Sequence, residues 1–304
     1  MSNLEPAPYP GLLPGRANAV QAVRGRSLTD DALRRLRRNR AAMTSIVTLG
    51  LLVLAAIVGP YLTPYGYDQI NKGDVWAAPL TGGHLFGADF LGRDLLARVL
   101  IGLRVSLAVG LVATTVSLVI GVLWGATAGY IGGRVDEVMM RVVDVIYSLP
   151  FIFFVILLLV TFGRNFVLIF VAIGAVEWLT MARIVRGQTL SLKQKEFIEA
   201  ARAAGVSSSG IVRRHVIPNL LGPVVVYVTL TIPAVILAES FLSFLGLGVQ
   251  EPLTSLGTLI SKGAQDMALA WWTLVFPAGT MVLTLVCFNF IGDGLRDALD
   301  PKDR

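Results

Sequence analysis

The sequence predicts an all-α fold, a polytopic membrane bundle of six transmembrane helices. Three observations carry this. Of the 304 residues, 55% are hydrophobic and only 15% charged, and the mean hydropathy is +0.70. Soluble domains average about 45–50% apolar and about 25% charged residues. Six runs meet the roughly 17–25 mostly apolar residues that a bilayer-crossing helix needs. Lys and Arg are also divided unevenly between the segments that separate those runs.

The six runs are 41–62, 105–130, 142–162, 166–182, 220–247 and 271–291. Arg34, Arg35, Arg37, Arg38 and Arg40 crowd the entrance to the first. Cytoplasmic flanks collect Lys and Arg. With the N-terminus inside, 20 of the 26 basic residues fall on the cytoplasmic side, and both termini are cytoplasmic. Residues 1–40 then form a cytoplasmic tail, partly disordered because its first fifteen residues hold four prolines and little that packs. Residues 41–304 form the spanning domain, with an outer loop at 63–104 and a cytoplasmic loop at 183–217.

The net charge of +6 is topological, since there is no soluble basic domain to hold nucleic acid; membrane lipid is the expected surrounding. No apolar core of a cleaved signal peptide lies in the first forty residues. Trp271 and Trp272 open the last run, where an aromatic belt sits. The single Cys287 lies in an apolar run and reads as a small buried hydrophobe.

Enzyme chemistry finds no support. The two histidines, His84 and His215, fall on opposite sides of the membrane, too far apart to serve one Ser-His centre. There is no His-Glu-x-x-His, and none of the five lysines follows a glycine as a phosphate-binding loop requires. His84 has no second histidine near it, so a loop hydrogen-bonding role is expected and no metal site.

In the cytoplasmic loop, residues 195–204 are mostly strong helix formers, from Lys195 through Glu199, Ala200 and Ala201. Gly205 follows and suits a left-handed helix end. Ser207, Ser208 and Ser209 offer an N-cap for a second short helix, which runs until Pro218 opens the fifth span. The expected product is a helix-turn-helix that projects from the membrane and offers small alanines beside Glu199 to a groove on another protein.

The outer loop begins its patterned part at His84. Gly87 and Gly92 permit tight turns beside Asp89 and Asp94. After Arg93, Leu95, Leu96, Val99 and Leu100 recur at helical spacing, with Arg98 and Arg104 on the other face. This predicts an amphipathic helix lying in the outer interface ahead of the second span.

Glu199-Ala200-Ala201, Gly205 and Ile217-Pro218 together resemble the cytoplasmic loop of ABC-importer permeases. His215, three residues before the proline, is similar to the peptide-permease branch. The block with His84, Phe86, Gly87, Asp89, Gly92, Arg93, Asp94, Arg98, Gly102, Arg104, Ser106 and Leu107 resembles the second permease subunit of dipeptide, oligopeptide and nickel importers. Ala88 and Ala97 are conservative departures, and Asp293-Gly294-Leu295-Arg296-Asp297 with Asp300-Pro301 extends the likeness to residue 301.

The resemblance implies a type I ABC importer permease fold in a bacterial inner membrane. It implies a similar permease subunit as partner, two ABC ATPase subunits below and an extracytoplasmic substrate-binding protein above. ATP and Mg sit on the ATPase subunits, and this chain binds no cofactor and is not an enzyme. Glu199, Ala200, Ala201, Gly205, Ile217 and Pro218 are then the ATPase-coupling residues. His84, Gly87, Asp89, Gly92, Arg93 and Asp94 are the expected docking residues for the binding protein. Di- or oligopeptide is the implied cargo; nickel or another small solute is the alternative. An autonomous secondary transporter fits less well, because no internal repeat is present and the docking loop goes unexplained.

Charges inside spans are costly in lipid and face protein or water. Asp144 is expected to pair with Arg141, and Glu177 to lie near Arg183. Glu239 lies deeper, in a span broken by Pro223 and Pro233, and either lines the translocation path or contacts the sister subunit.

Overall fold

The computed structural model describes residues 28–163 and 166–299. The earlier part of the expected disordered tail, and the Asp300-Pro301 pair, lie outside the described residues. Eleven helices make the described fold, with two isolated β-bridges at Thr81–His84 and Ala88–Asp94.

A short amphipathic helix, α1 (Leu28–Arg38), packs on the last helix, so this part of the expected tail is folded. The Asn39 side chain caps α2 (Arg40–Leu62) by accepting from the Ala42 amide at 3.1 Å. At about 1.5 Å per residue, 23 residues are long enough for a hydrocarbon core of about 30 Å.

The longest helix is α3 (Leu95–Ile131). It corrects the expected interfacial helix. The segment from Leu95 to Arg104 continues straight into the second span, because it carries no breaker and Asp94 caps it at the Ala97 amide, 2.7 Å away. Arg98 does not face the interface; it is fully buried. Arg104 donates to the Ala56 and Ile57 carbonyls of α2 at 2.9 Å each.

The third predicted span is not straight. It divides into α4 (Gly133–Tyr147) and α5 (Phe151–Phe162), bent by 81° around Pro150. Proline has no N–H to donate and pushes the residue before it out of the helical region. Next, α6 (Phe166–Leu192) runs ten residues past the predicted end of the fourth span.

The following segment holds α7 (Glu196–Ala203) and α8 (Ser208–Ile211). A π turn at Val212–Val216 joins α8 to α9 (Ile217–Phe244), making one continuous 37-residue unit. Pro218 has no amide to offer this turn, and the Asn219 side chain donates to the His215 carbonyl at 2.6 Å. The chain then folds through α10 (Leu256–Asp266) into α11 (Trp272–Leu299).

Among the described residues, four units, α2, α3, α8–α9 and α11, are long and apolar enough alone to cross a membrane, and the bent α4–α5 pair makes a fifth. Each of the six predicted runs lies mostly on helix, but the third is interrupted at 148–150 and the fifth outlasts its helix, which ends at Phe244; by length and composition the described units reach five spans and not six. The surface of α2 is apolar and exposed at Val47, Leu51, Leu54 and Ile57, as lipid contact requires.

At the centre, α3 packs against α2, α4, α6, α9, α10 and α11. Lipid tails are as apolar as leucine, so close backbone packing, more than burial from water, holds such helices together. Gly121, Gly125 and Gly129, spaced by four, form the face of α3 that meets α6. A Cβ on Gly125 would lie 2.3 Å from the Ala182 carbonyl oxygen. Gly125→Ala is therefore expected to cost about 1–3 kcal/mol and to lower the melting temperature in detergent. Gly187→Ala, which meets open space, serves as the comparison; equal melting of the two would count against a close α3–α6 seam.

Candidate coupling hairpin and buried polar cap

At one end of the bundle the segment between α6 and α9 forms the predicted helix-turn-helix. Helix α7 ends in a Schellman motif. The Val206 amide donates to the Ala201 carbonyl at 3.1 Å and the Gly205 amide to the Arg202 carbonyl at 3.0 Å. Gly205 sits at φ +77°, with open space around its Cα. The Ser207 hydroxyl then accepts from the Gly210 amide at 3.3 Å and starts α8.

The hairpin rests on the bundle through Ile198 and Ala201, which join Tyr130, Val185, Ile211 and Val216 in one apolar cluster. Glu199, Ala200, Gly205 and Pro218 are exposed, and Ile217 is half-buried. Ala201 was expected to face a partner groove but turns inward, because the helical period places it with Ile198 on the packed face. The outward alanines are Ala200, Ala203 and Ala204.

At the other end, residues 63–94 fold into a compact cap. All six residues expected to form a docking surface, His84, Gly87, Asp89, Gly92, Arg93 and Asp94, are buried within the chain. They build the cap and do not present it. Asp89 accepts from the Leu91 and Arg93 amides at 2.9 and 3.0 Å and pairs with the Arg93 guanidinium at 2.8 Å. The His84 ring bonds Asp94 at 2.8 Å and stacks on Tyr65 at 4.4 Å between centroids. Gly92 is required at φ +70°, since a Cβ there would overlap the Asn71 carbonyl oxygen.

Residues distant in sequence complete the cap. Glu251 accepts from Arg93 at 3.2 Å, lies 3.8 Å from Arg98, and bonds Lys262. The Lys262 hydrogen bond, aided by the Arg93 charge, holds the Glu251 carboxyl below the usual carboxylate range. Trp272 was expected in an aromatic belt. It is buried and donates to the Ala88 carbonyl at 3.2 Å, while Trp271 remains exposed.

Glu239 lies inside the chain at 0% exposure, facing neither a lumen nor an outer surface. Its carboxylate accepts from Ser243 at 2.7 Å and Ser106 at 3.2 Å. Ser106 in turn accepts from the Leu256 amide, so the carboxylate ties α3 and α9 to the start of α10. Asp144 pairs with Arg183 at 2.8 Å and not with Arg141, because α4 lies along α6. Glu177 makes no ion pair among the described residues.

A polytopic helical bundle with a short projecting hairpin at one end and a polar cap at the other has the build of an importer permease. Residues 118–304 match the family described as the binding-protein-dependent transport system inner membrane component. Residues 27–79 match the N-terminal TM domain of oligopeptide transport permease C. The chain is 60% identical over 283 residues to the oligopeptide transport system permease protein OppC of Escherichia coli K12, covering 93% of this chain and 94% of that one. It is 44% identical over 279 residues to the dipeptide transport system permease protein DppC of Bacillus subtilis, covering 91% and 87%. Among solved structures, a chain of the MetNI methionine ABC transporter in inward-facing conformations aligns with a TM-score of 0.53 at 21% identity, covering 67% of this chain and 95% of that one.

The chain belongs to the binding-protein-dependent transport system inner membrane component family. It is the permease component of an ABC importer and a multi-pass membrane protein.

Proposed function

We propose that this chain pairs with a sister permease to form a path for di- or oligopeptides across a bacterial inner membrane. In this reading two ABC ATPase subunits bind ATP and Mg and dock at the hairpin end, which faces the cytoplasm. An extracytoplasmic binding protein delivers cargo at the cap end. The chain itself catalyses nothing and holds no cofactor. Both termini lie in the cytoplasm, in keeping with the basic flank of α2.

The observation that carries the reading is the α7 hairpin. It is a rigid two-point mount, seated on Ile198 and Ala201, with Glu199 and three alanines turned outward. Small side chains on a short exposed helix permit close approach to a groove, and the seat transmits its displacement to α3, α6 and α9. The family names of the relatives supply the cargo class.

Cysteines introduced at Lys72 and Leu269, both exposed at the cap end, are expected to react with an impermeant thiol reagent on intact cells. One at the exposed Ser208 is expected to react only after lysis. The native Cys287 is buried and contributes little background. Labelling of Ser208 in intact cells would reverse the orientation. Peptide accumulation in reconstituted vesicles is expected to require ATP and the ATPase subunits; uptake without them would end the ABC-importer mechanism proposed here.

A further inference from the structure

Helix α1 is placed on α11 and α2 by its apolar side. Leu36 points toward Gly294, where a glycine Cβ would come within 3.3 Å of it. The opposite side carries Arg34, Arg37 and Arg38, all exposed, and Arg40 follows at the first turn of α2, also exposed. None of these four is in an ion pair among the described residues, and the exposed Asp293 and Asp297 at this end of α11 pair with none of them. Leu33, beside Arg37 on the helix, is 47% exposed.

The membrane fixes what such a face meets. The exposed apolar side of α2 begins within two turns of Arg40, at Val47. The hydrocarbon layer therefore starts there, and α1 lies at the depth of the lipid headgroups. Guanidinium groups form paired hydrogen bonds with phosphate oxygens. An apolar residue at the edge of a basic face enters the acyl boundary while the arginines stay among headgroups.

We propose that the α1 face of Arg34, Arg37, Arg38 and Arg40 is a binding site for anionic phospholipid headgroups, with Leu33 inserted at the acyl boundary. The site clamps α1, and through Gly294 the end of α11, to the membrane surface. It rests on the membrane placement of α2 and is independent of how the ATPase subunits dock.

The test uses the full chain purified in detergent and exchanged into nanodiscs of phosphatidylcholine alone or with phosphatidylglycerol, followed by native mass spectrometry of retained lipid. The parent is expected to retain phosphatidylglycerol over phosphatidylcholine. The preference is expected to fall roughly fivefold per arginine lost, so that R34Q/R37Q/R38Q abolishes it, while the corresponding triple lysine variant keeps most of it. All three side chains are exposed, and unchanged melting in detergent without added lipid verifies that the fold survives. No lipid preference in the parent, or full preference in the glutamine variant, overturns the proposal. If the glutamine variant keeps its lipid preference but loses co-purified ATPase subunits, the face is a protein contact, and the proposal is likewise overturned.

Discussion

Gly205→Val is expected to strip the ATPase subunits from the purified importer while leaving this chain's own fold intact. The reason is local. At φ +77° a side chain costs about 1–2 kcal/mol, and a β-branched one more. No neighbouring atom lies within 4 Å of a Cβ placed there, so the cost is conformational and not steric. If that cost falls on the docked geometry, affinity drops by at least five- to thirtyfold, because about 1.4 kcal/mol is a factor of ten. Two tryptophan variants separate docking from folding. Ala200→Trp adds bulk on the exposed side, so it is expected to block ATPase co-purification at an unchanged melting temperature. Ala201→Trp is expected to lower the melting temperature first, since Ala201 packs with Ile198 against the bundle. Normal assembly and parent-level uptake in both Gly205→Val and Ala200→Trp would show that α7 is not the coupling element.

Helix α7 and its glycine stop were legible in the sequence because their determinants are local. A run of helix formers, one glycine and a serine cap lie within fifteen residues. The inward turn of Ala201 follows from the helical period, but seeing it requires knowing which side the bundle occupies. The glycine seam of α3 was open to the same treatment, since residues spaced by four face one way. The cap misled for a physical reason. Asp, Arg and His in a turn-rich loop look solvent-facing, yet the residues that allow their burial are distant. Glu251 stands 158 residues from Arg93 and has no local pattern to announce it. Glu239 shows the same limit. Its serine partners come from two helices, and a carboxylate solvated by hydroxyls resembles, from sequence alone, one that lines a water-filled path. Helix α10 did have a local signal, with Ser255 ahead of Leu256, Leu259 and Ile260 at helical spacing.

The second large effect is expected at Arg93. Its guanidinium is 4% exposed and bridges Asp89 and Glu251, so it joins the cap to the α9–α10 connection. Removing the guanidinium takes one buried partner from Asp89, which keeps two backbone amides and Arg98 at 3.6 Å, and one from the partly exposed Glu251, which keeps Lys262, so the cost is expected at about 1–3 kcal/mol. Arg93→Ala is therefore expected to unfold the cap, seen as fast hydrogen exchange across residues 84–95 and loss of the Trp272–Ala88 contact by tryptophan fluorescence. Uptake is expected to fail with it, through loss of cap shape and not through loss of a surface contact, because Arg93 is inside. Arg93→Lys keeps the charge but not the fork that spans two carboxylates, and is expected to recover only part. Acid probes the same network from the other side. Glu251 is depressed below its unfolded value of about 4.3, so its contribution is full above that pH and is lost as pH falls through the folded value. Cap exchange in the parent is expected to rise across that window, and to rise less in Glu251→Gln. Glu251 is partly exposed, so its share is small beside that of Arg93. A native exchange pattern in Arg93→Ala, together with lost uptake, would mean that Arg93 acts by touching a partner after all.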